Sequence, residues 1–492
     1  MRNRFFRALA ACALGLSLSA GLGTSGQAQA QDIDILVGAK GGDAFRNARK
    51  MADKKTIFAA RGFSKAFRTA HEHLLTCGAC TVTIKAAGGV YEGKGGSGVW
   101  IFPDIQAPEA RLAILGGWDD DFEGRAPFDN QTILQSPEER TIALLTFEGK
   151  KHALQSLTLS GLTFDGGPSN SYDAETNSLL KAESPSAPLL SLGYLTVERL
   201  VIADNLFLNA ANSAAQPKVR AMSDTAEVIL RNNIIMGNVL AWRVDSARFR
   251  HIPARYVIER NSFLMNWPYN PDPTTSNPGA LEVGGKYAAG SVEIVGNLFA
   301  HNHGGAIHLT EDDDKGPPTT IAGNLFWRNG GLFDVEDEGG AAVVGKFLRA
   351  ASHRTLDFID IEDFDWNAEE NDSFDPELRL QIAPTDETSD GDGMGDGMGD
   401  DGADGGAVDE LAALLAEEGI EVDDGTEEDD AMMDEDMFGD DDAFFDGGED
   451  SDDLSVKDYA ARTFVTTGAL PIPANPDADG YGAHPSLVEG VQ

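Results

Sequence analysis

The chain has 492 residues, 41% of them hydrophobic and 24% charged, and a formal net charge of −43. Charge of that sign, with no basic stripe to meet a phosphate backbone, excludes a nucleic-acid partner. The length allows a large core, and no stretch after the N-terminus approaches the roughly 20 apolar residues of a spanning helix, so no transmembrane anchor is expected.

Residues 1–30 read as a signal peptide: Arg2, Arg4 and Arg7 form a basic start, Ala8 to Leu22 are largely apolar, and Ala28-Gln29-Ala30 is a small-x-small cleavage pattern. Cys12 after Leu9-Ala10-Ala11 hints at a lipoprotein box, but it stands at the front of the apolar run. The expectation is an exported protein, resident in the periplasm, on the cell surface or outside the cell. Residues 31–59 are taken as a lead-in segment. Phe63, Phe67, Ala70 and Leu74 follow helical spacing and predict an amphipathic helical cap over what comes next.

Cys77 and Cys80 are the cysteines left after cleavage, and in an oxidising compartment they predict a local disulfide. The competing reading is a transition-metal site that also uses His71 and His73, since thiolate and imidazole are both good ligands. Haem attachment is excluded in its usual form because Thr81 stands where that motif has histidine.

The centre of the chain repeats. Asn-x-(Phe or Ile)-x-x-Asn occurs at Asn233 to Asn238, Asn261 to Asn266, Asn297 to Asn302 and Asn324 to Asn329, with degenerate copies from Asn205 through Phe207 and from Leu162 through Phe164 to Gly167. Successive starts lie 43, 28, 28, 36 and 27 residues apart, one coil each with inserted loops. Three positions before each start stand Leu159, Ile202, Leu230, Ile258, Ile294 and Ile321; five before stand Leu157, Leu200, Val228, Tyr256, Val292 and Thr319. Alternation of this kind predicts strands with one buried face, with Phe164, Phe207, Ile235, Phe263, Phe299 and Phe326 as a third inward column and Arg231, Glu259 and Glu293 pointing out. The asparagines belong at bends, stacked into an internal ladder with a structural role. The fold class expected is all-β: a right-handed parallel β-helix, a solenoid, over residues 60–384 with its N-terminal cap.

Ala86-Ala87-Gly88-Gly89-Val90-Tyr91 and Gly116-Gly117-Trp118, followed by Phe122, Arg125 and Thr132-Ile133-Leu134, strengthen that reading. With the coil periodicity, these pieces resemble the pectin-lyase-like superfamily of right-handed β-helices, and within it secreted β-helix repeat proteins. The resemblance covers roughly residues 60 to 350 by coil periodicity and implies a fold, not an activity. Neither the paired aspartates of polygalacturonase-type hydrolases nor the Arg-x-Pro-x-x-Arg pattern of pectate lyases is present, so no catalytic residue is carried over.

A second strand per coil aligns Lys218 to Ala221, Ala241 to Val244, Ala280 to Val283, Ala306 to Leu309 and Leu332 to Val335. Its third member faces outward, which sets Arg220, Arg243, Glu282, His308 and Asp334 in one surface row about 4.8 Å apart from coil to coil. Such a row suits an extended ligand, with Trp267 and Tyr269 available to stack on sugar rings. As catalytic candidates it offers Arg243, Glu282, Lys286 and His308, in general acid, general base and charge-stabilising roles. Glu311, Asp312, Asp313, Asp314 and Glu336 offer oxygen ligands for Ca²⁺, the one cofactor considered. The expected partner is a polysaccharide or cell-envelope component. Alternatives are a Ca²⁺-assisted polysaccharide lyase or glycoside hydrolase, and a structural surface or adhesion protein in which the row is merely a solvated face.

Between Asp386 and Asp453 fall 30 acidic residues and no Lys or Arg, so the rest of the chain carries only −13. Residues 385–453 are therefore expected to be a disordered acidic insert, since they bury too little apolar surface to offset chain entropy. It is read as a solvating linker or as a weak Ca²⁺-binding or docking segment. Residues 454–492 are expected to close the solenoid, folding back onto its end.

Overall fold

The computed structural model describes most of residues 31–329, apart from short intervals of which the longest are 181–187, 245–253, 267–279, 284–289 and 310–317, together with parts of 366–378 and 473–484. The acidic stretch 385–453 lies outside the described residues. The protein is mostly β, with two α-helices and three large parallel sheets among the described residues, plus a two-stranded antiparallel hairpin of Ser171–Asp173 with Ser178–Leu180. No helix among the described residues is long and apolar enough to cross a membrane.

From Thr81 onward the chain visits the three sheets in one repeating order. One circuit runs Glu227–Arg231 in the first sheet, Ile234–Met236 in the second and Trp242–Val244 in the third; the next begins at Arg255–Glu259, parallel to the first. This stacking of parallel sheets is compatible with a solenoid. Every strand of a circuit lies beside its counterpart in the next, so the inward columns are continuous. Leu157, Leu200, Val228, Tyr256, Val292 and Thr319 are register partners in turn, and so are Leu159, Ile202, Leu230, Ile258, Ile294 and Ile321. On the second sheet Phe164, Phe207, Ile235, Phe263, Phe299 and Phe326 form the third column, with the rings of Phe164 and Phe207, and of Phe263 and Phe299, stacked at 4.8 Å. Arg231, Glu259 and Glu293 stand on the solvent face of the first sheet.

Between first and second sheets the backbone must turn sharply, and Asp204, Asn232, Arg260, Gly296 and Gly323 all take φ between +51° and +66° there. The residue after each is an asparagine whose amide joins the next coil. Nδ2 of Asn205 donates to Oδ1 of Asn233 (3.1 Å), Asn233 to Asn261 (2.8 Å), Asn261 to Asn297 (3.0 Å), Asn297 to Asn324 (2.9 Å) and Asn324 to Asn371 (3.0 Å). A second ladder at the next bend runs from Asn238 through Asn266 and Asn302 to Asn329. Each Oδ1 also accepts the backbone N–H of the preceding rung, as in Asn233 N to Asn261 Oδ1 at 3.0 Å. Buried polar groups are thus paired along the stack, which removes the cost of burying them.

The N-terminus differs from the expected lead-in. Residues 31–59 contain β1 (Ile33–Gly38) and α1 (Asp43–Met51) and enter β2 (Ile57–Arg61); α2 (Phe63–Cys77) and β3 (Thr81–Ala87) follow. The strands extend the first sheet in the order β2-β1-β3, all parallel. Helix α1 packs Ala44 and Ala48 with Leu36 and Phe122 on the outer side, whereas α2 turns Phe63, Phe67, Ala70 and Leu74 into the main core. Phe63 meets Tyr91 of the second sheet at 5.0 Å and Trp100 of the third at 6.0 Å, and Phe67 meets Phe102 at 5.2 Å. Helix α2 therefore covers the open interior of the first circuit, where apolar side chains would otherwise meet water.

The second sheet departs from simple alternation, because both its faces are apolar. Leu206, Leu208, Ile234, Met236, Leu264, Leu298 and Leu325 line its outer face and are buried in a separate cluster with Ala478 and Ala483. Part of the C-terminal segment lies along this side of the stack: Gly482 N donates to Gly296 O (2.9 Å), Ala483 N to Ser262 Oγ (2.9 Å) and His484 N to Asn232 Oδ1 (2.7 Å). The described residues of 454–492 thus pack on this flank, where apolar surface needs covering, and Tyr481 also bonds to Asp372 beside the last described coil.

Asn261 is fully buried and serves both neighbouring coils, so Asn261→Ala leaves several buried donors and acceptors unpaired. The expected loss is about 2–5 kcal/mol by denaturant unfolding, against less than about 1 kcal/mol for exposed Arg255→Ala, although Arg255 bridges Glu227 and Glu293.

Candidate functional site

The third sheet carries the candidate row. Its strands stack in parallel, with Trp242, Leu281 and Ile307 as register partners, then Arg243, Glu282 and His308, then Val244, Val283 and Leu309. Trp242, Leu281, Val244 and Val283 are buried, and Trp242 meets Phe207 edge to face at 5.4 Å. Tight packing on either side fixes where the middle residue stands. Arg243, Glu282 and His308 therefore share one row, on three adjacent strands.

Arg220 does not join them. Its strand, Val219–Ala221, pairs with Leu195–Val197 of the first sheet, with Arg220 opposite Thr196. The third-sheet strand of that circuit is Ala215–Gln216, with Ala215 opposite Trp242, which puts Gln216 at the level of Arg243. An apolar-charged-apolar triplet states which face a residue takes; it does not state which sheet holds the strand, and Ala215, opposite Trp242, takes the third sheet's inward position. Below Gln216 the row continues through Ser191 and Thr146 to Ile101, so its charge is confined to the last three described strands. Asp334, Lys286, Trp267, Tyr269, Glu311 to Asp314 and Glu336 lie outside the described residues.

Within the row, Arg243 Nε stands 3.6 Å from Glu282 Oε1, the arginine half exposed and the glutamate side chain only 12% exposed. A carboxylate so shielded and held by a guanidinium is a fixed acceptor, suited to hydroxyl groups or to a metal-bridged anion.

A second charged group lies inside the protein, and its residues belong to the Gly-Gly-Trp region. A Cβ on Gly116 would sit 2.2 Å from Gly161 O, and Gly117 takes φ +82° against Pro127, so only glycine permits this close turn. The turn brings Arg125 back into the stack, where its Nε donates to Gly116 O (2.9 Å) and its Nη2 to Ser160 Oγ (2.6 Å), with Nη1 3.8 Å from Asp204 Oδ2. Ser160 donates to Asp204 Oδ2 (2.8 Å) and Asn232 Nδ2 to Oδ1 (2.7 Å). Burial pushes the Asp204 carboxyl up, against the pull of Asn232, Ser160 and Arg125; burial also lowers the Arg125 guanidinium, which Asp204 opposes. The group is enclosed and spans coils, which makes it a structural tie.

At the end of α2, Cys77 and Cys80 form a disulfide with Cα atoms 5.8 Å apart. His73 is grouped with them, whereas His71 faces elsewhere and bonds to Asp104 O at 2.8 Å. Helix geometry sets residues two apart on different faces, so His71 does not join His73 beside the cysteines.

No family model matches the chain, and neither a curated protein nor a solved structure matches it significantly.

Arg125→Met leaves Asp204 buried without its cation, an expected loss of about 3–5 kcal/mol at neutral pH. Because folding raises the Asp204 pKa, its ionisation opposes the folded state above that value, and the penalty is withdrawn as pH falls through it. The gap between wild type and variant should therefore narrow as pH falls from neutrality toward the ordinary carboxylate range in denaturant titrations.

Proposed function

We propose that this chain is an exported right-handed parallel β-helix, of the pectin-lyase-like kind, that binds a polysaccharide or other cell-envelope ligand along the outward row of its third sheet. The handedness rests on the general rule that parallel strands joined by crossovers in one sheet connect right-handedly, the only way twisted strands pack back efficiently. The cyclic order of three parallel sheets supports the solenoid. Export rests on residues 1–30 and on the disulfide.

One observation carries the binding reading: Arg243, Glu282 and His308 occupy one row at the strand repeat, about 4.8 Å, a ruler suited to an extended polymer. Ordered donors and acceptors on a rigid sheet lose little entropy when a ligand docks, so modest contacts add up along a chain. The enzymatic alternative, a Ca²⁺-assisted lyase or hydrolase, draws on the same residues through the shielded Glu282 beside Arg243.

The test is binding of the mature protein to a panel of insoluble and acidic glycans, with and without Ca²⁺, followed for new unsaturated or reducing ends. Arg243→Ala and Glu282→Gln are each expected to weaken retention about tenfold, or about 1.4 kcal/mol. Retention unchanged in both variants retires the row as the binding surface. Turnover lost in Glu282→Gln replaces the binding reading with the enzymatic one.

A further inference from the structure

We infer that His73, Cys77 and Cys80 form a redox-gated metal site: a disulfide when oxidised, and a three-ligand site for one Zn²⁺-like cation when reduced. The ligand atoms of the three residues lie within 4.8 Å of one another. Helical geometry produces this, since His73 precedes Cys77 by one turn on the same face of α2, and Gly78, at φ +69°, turns the chain so that Cys80 returns to it at the start of β3. Both cysteines are buried, at 6% and 4% exposure, and His73 is half-buried, so the site is shielded on its protein side.

The imidazole is already oriented. His73 Nε2 lies 2.7 Å from the Gln31 carbonyl oxygen, which can only accept, so in the neutral ring this contact selects the tautomer that leaves Nδ1 as the ligand atom. A ring held through its other nitrogen by a carbonyl is the usual arrangement for a metal-binding histidine. The site also sits at the C-terminal end of α2, where the helix dipole favours a cation and no basic side chain occupies the last turn. Two thiolates and one imidazole suit Zn²⁺, and three protein ligands leave its fourth tetrahedral position for water or an external ligand.

The chemistry balances with a dithiol as reductant. Its two electrons and two protons convert the Cys77–Cys80 bond to two thiols, and it leaves as its own disulfide; metal binding then displaces both thiol protons to solvent. Either state ties the end of α2 to β3, so the helix that covers the first circuit stays clipped whether the surroundings are oxidising or reducing.

The mature full-length protein, reduced with a phosphine and handled without oxygen, would be titrated with Zn²⁺ against a chromogenic chelator and with Co²⁺ by absorption. One equivalent is expected in the reduced protein, with a thiolate-to-cobalt charge-transfer band, and neither in the oxidised protein, which controls for uptake by the acidic stretch. His73→Ala should weaken affinity about tenfold or more and alter the Co²⁺ spectrum, while His71→Ala should do neither. Equal uptake by oxidised and reduced protein, no stoichiometric binding on reduction, or a His73→Ala variant indistinguishable from wild type would each overturn the proposal. Oxidised and reduced wild type share one sequence, so the comparison holds even if a cysteine variant fails to fold.

Discussion

Each coil of this protein must sit directly on the one before it, because a buried asparagine amide is satisfied in full only when the asparagine of the next coil stands beside it. Asn233 takes its acceptor from Asn261, and Asn261 from Asn297, while each also donates to a backbone carbonyl at the bend. A shift of one residue would break the ladder and turn every inward leucine and isoleucine outward. The aliphatic and phenylalanine columns supply the apolar burial that drives the stack together. The amides set the register in which that burial happens.

Register explains how the remaining charges are handled. On the first sheet Arg255 lies between Glu227 and Glu293, and such exposed pairs are solubilising partners worth little each. Inside the turn, Arg125 and Asp204 meet across coils because the Gly116-Gly117 bend lets the chain double back. The Gly116-Gly117-Trp118 segment therefore has a local physical cause: small residues where backbones nearly touch, and a buried ion pair that those residues make room for. On the third sheet the same register gathers Arg243, Glu282 and His308 into one row.

The two ends of the chain are built on different terms. Strands β1 and β2 lengthen the first sheet beyond the coils, and α2 plugs the interior with Phe63 and Phe67. At the other end, the described C-terminal residues lie against the outer leucines of the second sheet. The signs were present in both cases. Ile33, Ile35 and Val37 alternate as a half-buried strand does, and Leu206, Ile234, Leu298 and Leu325 are apolar where a solvated face would be polar. Both patterns are short, so spacing alone does not assign them a partner.

What the sequence determined by itself was periodic: the coil length, the inward columns, the asparagine bends and the helix that faces the first coil, all consequences of side-chain spacing along one strand or helix. What only the tertiary structure decided was adjacency between segments that spacing cannot relate. Arg220 went to the first sheet and Gln216 to the third because neighbouring coils, not the local triplet, choose a strand's partner. Arg125 reached Asp204, 79 positions along the chain, and His73 joined Cys77 and Cys80 while His71 did not, for the same reason. A side chain's inward or outward direction is a local property of the backbone, whereas its neighbours are set by which strands the sheets stack beside it.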